Sequence, residues 1–321
     1  MTDPILAVRG IKKYFPIYGG LFQRTISAVK ALDGVDLSIG KVETLGLVGE
    51  SGCGKTTLGR LAAMLEEPSS GEILFEGKSI VGIRSREKRL LHKRIQMVIQ
   101  DPFSSLDPRQ TAESIVAEPL KVHTPFSKGD RTTRVRELIE VVGLRPEHVT
   151  RFPHEFSGGQ RQRINLARAI ALNPDLVIAD EPVSALDVSI QAQVLNLMVD
   201  IQEKFSLTYL FISHDLKVIE FISDRIAVMY LGKIMEMATN RDLHRYPLHP
   251  YTQALLAASP TPDPRIRQES VILKGDVPSP IDLPSGCRFH PRCPMVRERC
   301  QEEEPSFRQT GPDHWLACHC A

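Results

Sequence analysis

Thr44-Leu45-Gly46-Leu47-Val48-Gly49-Glu50-Ser51-Gly52-Cys53-Gly54-Lys55-Thr56 is the stretch from which the fold of this chain is read. Thr44–Val48 is a short apolar run of the kind buried in a sheet covered on both faces. The eight residues after it fit G-x-x-x-x-G-K-[ST], and Lys55–Leu65 carries a helical pattern that the Pro68-Ser69-Ser70-Gly71 turn ends. A strand, a glycine-rich loop and a helix in that order turn backbone N–H groups and a positive helix N-terminus toward one anion. Lys55 can reach the β- and γ-phosphates of a nucleotide, and the Thr56 hydroxyl can ligate Mg²⁺. Gly49, Glu50, Ser51, Gly52, Cys53, Gly54, Lys55, Thr56 and the adjoining Thr57 are therefore the expected ATP cradle. Cys53 contributes its backbone there, and no redox role is expected of its thiol.

Outward from the loop, apolar runs alternate with helical patterns from Ile5 to about Ala258, the rhythm of an α/β domain. Leu176–Ala179 and Tyr209–Ile212 read as further buried strands. Between them Ile190, Val194, Leu197, Met198, Ile201 and Phe205 recur at helical spacing and predict one core-facing stripe. Residues from about Asp101 to His154 carry helical patterns, Glu113–Lys121 and Arg131–Val142, with no convincing strand, and read as an inserted helical subdomain. After Ala258 the prolines at 260, 262, 264, 278, 280, 284, 291 and 294 argue against a long helix or a regular sheet. That tail reads as loop-rich, held by something other than a large apolar core.

Leu176-Val177-Ile178-Ala179-Asp180-Glu181 is an apolar strand ending in two carboxylates, at the sheet edge where open α/β folds place ligands. Asp180 is suited to hold Mg²⁺ through water, and Glu181 to deprotonate the water that attacks the γ-phosphate. An acidic turn after a strand is ordinary taken alone; it is the intact phosphate loop that gives these carboxylates a task. His214, closing the next apolar strand, would donate to a γ-phosphate oxygen. Gln100, after the run Gln96–Ile99, could complete the Mg²⁺ shell and contact the water.

The bulk numbers bound these readings. With 321 residues, 42% hydrophobic and 25% charged, the chain has the composition of a soluble globular protein. A net charge of +1 argues against a long nucleic-acid footprint, and no nucleic-acid partner is expected. The start lacks a basic region followed by an apolar core, and no run approaches eighteen apolar residues, so any membrane connection is expected through a partner.

Phosphate loops occur in many classes, and the discriminating stretch is Phe156-Ser157-Gly158-Gly159-Gln160. It resembles the LSGGQ signature of ABC (ATP-binding cassette) ATPases, with Phe156 in the leucine position. Gln100 resembles their Q-loop, Ser184-Ala185-Leu186-Asp187 their D-loop and His214 their switch histidine, all in the family's order. The resemblance implies a P-loop NTPase fold: a RecA-like core, an antiparallel β subdomain and an inserted helical subdomain at about 101–160. It implies that Phe15, with Tyr14 as second choice, stacks on adenine. Ser157, Gly158, Gly159 and Gln160 would make a second anion cradle for the ATP of a facing subunit. Gln96–Arg109, Val183–Leu197, His249–Ser259, Phe15–Val29 and Lys274–Cys293 look like the ATP-binding subunits of dipeptide and oligopeptide importers. The domain division expected is a nucleotide-binding domain over 1–258 and an importer-type extension over 259–321. Val42 departs from the family, which usually has glycine there; a small local backbone difference is expected.

Five of the six cysteines crowd the tail, and Cys287, Cys293, Cys300 and Cys318 give a C-x5-C-x6-C-x17-C spacing with Cys320 beyond. Four thiolates fit tetrahedral Zn²⁺ or a [4Fe–4S] cluster. The lack of a C-x2-C knuckle tilts away from zinc, and the family resemblance implies the [4Fe–4S] cluster. His290, His314 and His319 are expected to be solvated or structural.

The expected function is therefore ATP hydrolysis that powers peptide uptake from the cytoplasmic face of a membrane. The resemblance implies a second ATPase subunit, favouring a paralogue, two transmembrane permease subunits and, indirectly, an extracytoplasmic binding protein. Related importers carry dipeptides, longer peptides, nickel chelates or haem, and a nickel-chelate or haem importer is the alternative. A soluble ABC ATPase of translation or DNA repair is a further one, disfavoured because those carry two cassettes or a long coiled-coil insertion.

Overall fold

In the computed structural model, which describes residues 3–19, 24–100, 105–258 and 275–320, Leu6–Gly19 (β1) and Arg24–Ile39 (β2) run antiparallel as a long hairpin. Phe15 pairs with Val29 and Pro16 with Ala28. Beyond Lys12, β1 has only β2 beside it, and proline is tolerated on such an edge. Ser70–Phe75 (β4) and Lys78–Ser79 (β5) complete an antiparallel sheet in the order β2-β1-β4-β5.

This sheet belongs to a compact unit formed by residues up to 39, 44–81 and 213 onward. Its second layer of strands contains Thr44–Val48 (β3), buried at every residue as its uninterrupted apolar run requires. β3 lies parallel to Arg225–Tyr230 (β9), which turns back antiparallel into Lys233–Thr239 (β10). Lys55–Ala62 (α1) follows the glycine loop and buries Leu58, Leu61 and Ala62. It stops short of the expected Leu65 because Met64 turns left-handed at φ 57. Leu216–Ile222 (α7), Asn240–Arg245 (α8) and Pro250–Ala258 (α9) complete the unit's helices before the tail.

The tail is held in a way that the sequence leaves open. Its elements are short, as the prolines require: Glu298–Glu302 (α10), Arg308–Gly311 (β11) and His314–Leu316 (β12). Yet it is packed into the same unit as the phosphate loop. β12 pairs with β10 through Glu236↔Leu316 and Met237↔Trp315. Phe289 is fully buried, with its ring 5.4 Å from Tyr230, 5.3 Å from Tyr251 and 5.7 Å from His249. The Glu236 carboxylate, with no exposure, accepts from His314 Nε2 at 2.7 Å and from the Leu248 and His249 N–H groups at 2.8 and 3.0 Å. A buried charge satisfied from three sides fixes β12 and the start of α9 to β10.

The other unit comprises 40–43 and 82–212. Ile95–Val98 (β6), Leu176–Asp180 (β7) and Thr208–Ile212 (β8) are parallel, with Val98 beside Ala179 and Asp180 beside Ile212. Ser85–Leu91 (α2), Ala112–His123 (α3) and Lys128–Val141 (α4) are the first helices. Thr111 caps α3, and Ser127 with Asp130 forms a capping box on α4. Gly158–Ala169 (α5) and Val188–Phe205 (α6) follow. α6 buries Val194, Leu195, Leu197, Met198 and Ile201, each contributing about 1.5–3 kcal/mol for apolar side chains removed from water. Ile190 and Phe205, at the ends of the expected stripe, are only half-buried. Val42 takes a left-handed backbone at φ 61, its N–H donating to Thr208 Oγ1 at 2.9 Å.

Candidate functional site

The loop after β3 closes around one buried ammonium. Lys55, 5% exposed, turns Nζ back to the Gly49 carbonyl at 2.6 Å and the Glu50 carbonyl at 3.0 Å. Gly54 stands before it at φ 110, where a Cβ would meet the Ala31 carbonyl oxygen at 2.4 Å, so no side chain is accommodated. Cys53 Sγ lies 3.8 Å from the ammonium, and burial pushes its thiol up, keeping it protonated. Ser51 and Gly52 are exposed; Thr56 and Thr57 are half-buried on the first turn of α1. A buried cation, a helix N-terminus and an open glycine loop fit a polyphosphate.

Two residues without an assigned role in the sequence hold this loop. Tyr251 Oη accepts from the Glu50 N–H at 3.0 Å. Arg292 grips the Glu50 carboxylate with both terminal nitrogens, at 2.7 and 3.1 Å. Both lie in the stretches His249–Ser259 and Lys274–Cys293, which resemblance had singled out without saying what they touch. On the strand side, Phe15 is 37% exposed with Lys13 Nζ 4.8 Å from its ring centre. Tyr14 instead donates its hydroxyl to Asp33, which Arg288 also bonds. Burial, with the Asp33 carboxylate adding to it, pushes Tyr14 up to about 12. At Asp33 burial works upward but is outweighed by the bonds from Tyr14 and Arg288, which hold the carboxyl below its usual range. His214 is exposed in the bend before α7, where Asp215 donates its N–H to Ser213 Oγ at 3.0 Å and caps Lys217 at 2.9 Å.

In the second unit Asp180 ends β7, 1% exposed. Glu181 leaves the strand left-handed at φ 48 while its N–H donates to the Ile212 carbonyl at 2.9 Å. That backbone costs about 1–3 kcal/mol in a non-glycine residue and is tolerated where the surroundings over-determine it. It carries the Glu181 carboxylate to Gln100, whose Nε2 donates to Oε2 at 2.8 Å. The same turn accepts from the Ser184 N–H and Oγ at 3.3 and 3.1 Å, starting the Ser184–Asp187 segment. Phe156 is buried edge-on to His148 at 5.9 Å. Ser157 caps α5: its Oγ accepts from the Gln160 N–H at 3.4 Å, and Gln160 Oε1 accepts from the Ser157 N–H at 3.1 Å. A Cβ on Gly159 would meet Ile190 Cγ2 at 2.4 Å, so the close approach of α5 to α6 accounts for that glycine.

The cysteine tail forms the last part of the site. Cys287, Cys300 and Cys318 are buried and Cys293 half-buried, all as free thiols. Cys287 donates its N–H to the Cys300 carbonyl at 2.8 Å. Burial pushes the Cys287 thiol up to about 11, a backbone bond from Phe289 opposing it and the thiols of Cys300, Cys318 and Cys293 adding to it. Among the described residues, however, no three His, Cys, Asp or Glu side chains form a metal-holding group. The expected cluster or zinc site is not preassembled. His290 and His319 bond the Cys287 and Glu303 carbonyls at 3.0 and 2.9 Å, and His314 the Glu236 carboxylate.

Residues 32–184 match the family profile described as ABC transporter, and 235–300 the one described as oligopeptide/dipeptide transporter, C-terminal region. Over 320 residues the chain is 55% identical to the oligopeptide transport ATP-binding protein AppF of Bacillus subtilis (strain 168), covering 99% of this chain and 97% of that one. The chain belongs to the oligopeptide/dipeptide family of ABC transporter ATP-binding proteins. This ABC ATPase is also 50% identical over 317 residues to the dipeptide transport ATP-binding protein DppF of Haemophilus influenzae, covering 99% and 97% of the two chains. An ATP-binding cassette solved as a dimer in a post-hydrolysis state bound to ADP and Pi superposes with a TM-score of 0.66 at 26% identity, covering 74% of this chain and 99% of that one. The fold is thus the ABC cassette, a P-loop NTPase of mixed α/β sheets. The C-terminal match of this ABC ATPase contains Tyr251, Arg288 and Arg292, the side chains that grip Glu50 and Asp33.

Proposed function

We propose that this ABC ATPase powers peptide import, as one of two ATP-binding subunits of a membrane transporter. The observation that carries this reading is the 55% identity to an oligopeptide transport ATP-binding protein over nearly the full length, C-terminal region included. No helix among the described residues is long and apolar enough to cross a membrane. By its likeness to peptide-transport ATP-binding proteins, the chain sits peripherally on the cytoplasmic face against two permease subunits, and reaches an extracytoplasmic binding protein only through them. The facing ATPase is a paralogue. Residues 1–258 serve as the cassette, with the helical subdomain at about 101–160, and 259–321 as the extension.

Lys55 binds the β- and γ-phosphates from within the loop Gly49–Thr56, and Phe15 stacks on the adenine. Thr56, Gln100 and, through water, Asp180 would hold Mg²⁺, which would supply positive charge against the phosphates. Gln100 orients Glu181, which takes the proton of the attacking water as its oxygen bonds to the γ-phosphorus and the bond to ADP breaks. His214 donates to a γ-phosphate oxygen. Ser157, Gly158, Gly159 and Gln160 present the α5 N-terminus to the nucleotide of the facing subunit. Closure on ATP and reopening after hydrolysis shift the transporter between states by differential binding. Cys287, Cys293, Cys300 and Cys318 are the donor set for a [4Fe–4S] cluster, with Zn²⁺ the alternative. The crowding of five of the six cysteines into the tail supports this reading.

Glu181→Gln is expected to bind ATP and form the closed dimer while hydrolysis falls by about 10²–10⁴-fold. Gel filtration with ATP and a phosphate-release assay read both properties, and near-wild-type turnover would remove Glu181 as the base.

A further inference from the structure

We propose that the C-terminal extension positions the phosphate loop, with Arg292 as the positioning residue and Tyr251 as its second anchor, so that ATP affinity is set partly by the tail. The proposal rests on reading Gly49–Thr56 as the nucleotide cradle. Glu50, inside that loop, is held twice: its carboxylate by the two-pronged grip of Arg292, its N–H by Tyr251 Oη. The Arg292 side chain is only 8% exposed, and its guanidinium also donates to Tyr230 Oη at 3.5 Å. Tyr251 is itself immobilised, fully buried with its ring 4.7 Å from Tyr230 and 5.3 Å from Phe289.

A planar guanidinium fork fixes a carboxylate in direction as well as distance, which an ammonium does not. The loop needs such fixing. Gly52 and Gly54, at φ 78 and 110, leave it a large conformational freedom that phosphate binding must otherwise remove. Arg288, four residues earlier, bonds Asp33, which also holds Tyr14 beside Phe15. One segment, Cys287–Cys293, thus bears on the phosphate loop at one end and on the adenine-side strand at the other. A purely structural tail would alter stability alone; a positioning tail alters nucleotide affinity and the order of the empty loop.

The test uses the full-length chain and Mg-ATP, with affinity from calorimetry, steady-state ATPase rates, and amide exchange over residues 49–56 without nucleotide. Arg292→Ala and Arg292→Lys are each expected to weaken ATP binding about tenfold, with kcat at saturating ATP within about twofold of wild type. Exchange in the loop should quicken, and Glu50→Gln combined with Arg292→Ala should bind no more weakly than either single variant. Where Arg292→Ala does not fold, Arg292→Lys, which keeps charge and bulk, decides. Affinity within twofold of wild type in Arg292→Lys, or additive losses in the double variant, overturns the proposal. Lys55→Ala separates the two readings. Wild-type affinity there removes the cradle itself; lost affinity there beside unchanged affinity in Arg292→Lys removes only the positioning role.

Discussion

At the scale of the residue, Val42 and Glu181 share a backbone that side chains avoid, at φ 61 and 48. For a β-branched residue the left-handed region is a genuine outlier. The family resemblance marks Val42 as standing where glycine is usual and predicts a local backbone difference; the backbone found is one that glycine favours, now carried by valine. Half of Val42 is exposed, so little packing compensates the strain. Val42→Gly should therefore stabilise the protein by about 1 kcal/mol, the relieved strain being partly offset by the greater freedom of glycine in the unfolded chain. For a chain of 321 residues that corresponds to a rise in Tm of about 1–2 °C by calorimetry, and a fall would show that the valine side chain outweighs its backbone. Glu181 is different in kind. Its strained turn carries the carboxylate to Gln100, so the same relief there would remove the group the turn presents.

At the scale of the element, β3, α1, β7 and the core of α6 were legible because period and punctuation are local properties. The β10–β12 pairing was not, since nothing in Met237 or Trp315 announces its partner in a proline-rich tail. Nor was the buried carboxylate of Glu236, satisfied only by residues 12, 13 and 78 positions away. Next to it, His249 gives the α9 junction a pH dependence. Burial pushes this imidazole down to about 4, and its Nδ1 must be unprotonated to accept from the Tyr251 N–H at 3.0 Å. In the unfolded chain the pKa is about 6.5. Between those values the unfolded state binds more protons, so stability is full above about pH 6.5 and is lost as pH falls toward 4, by about 3 kcal/mol in all. Denaturant titrations from pH 7 to 4 should show that slope, and His249→Gln should flatten it by about one proton. An unchanged slope in the variant would place the titration elsewhere.

At the scale of the whole molecule, the phosphate loop and the signature at Phe156–Gln160 were readable because each is encoded within a few residues. The grip on Glu50 was not, because Arg292 stands 242 residues away in sequence and only the folded tail brings it there. The same folding changes what a metal in the tail can be for. From its prolines the tail is expected to be held by something other than a large apolar core, and four of its cysteines fit a metal. The structure fastens that segment with Phe289 in an aromatic pocket, β12 on β10, and Arg288 and Arg292 on Asp33 and Glu50. A site whose surroundings are already ordered adds binding energy to a standing fold, unlike small zinc domains that unfold without their ion. Protein purified without oxygen should carry iron and acid-labile sulfide in cluster stoichiometry, and stoichiometric zinc without iron would sink the cluster. Removing the metal should lower Tm while leaving the far-ultraviolet circular dichroism of the chain intact. Collapse of the helical and sheet signal on removal would show instead that the metal, and not the contacts of the tail, holds this half of the molecule together.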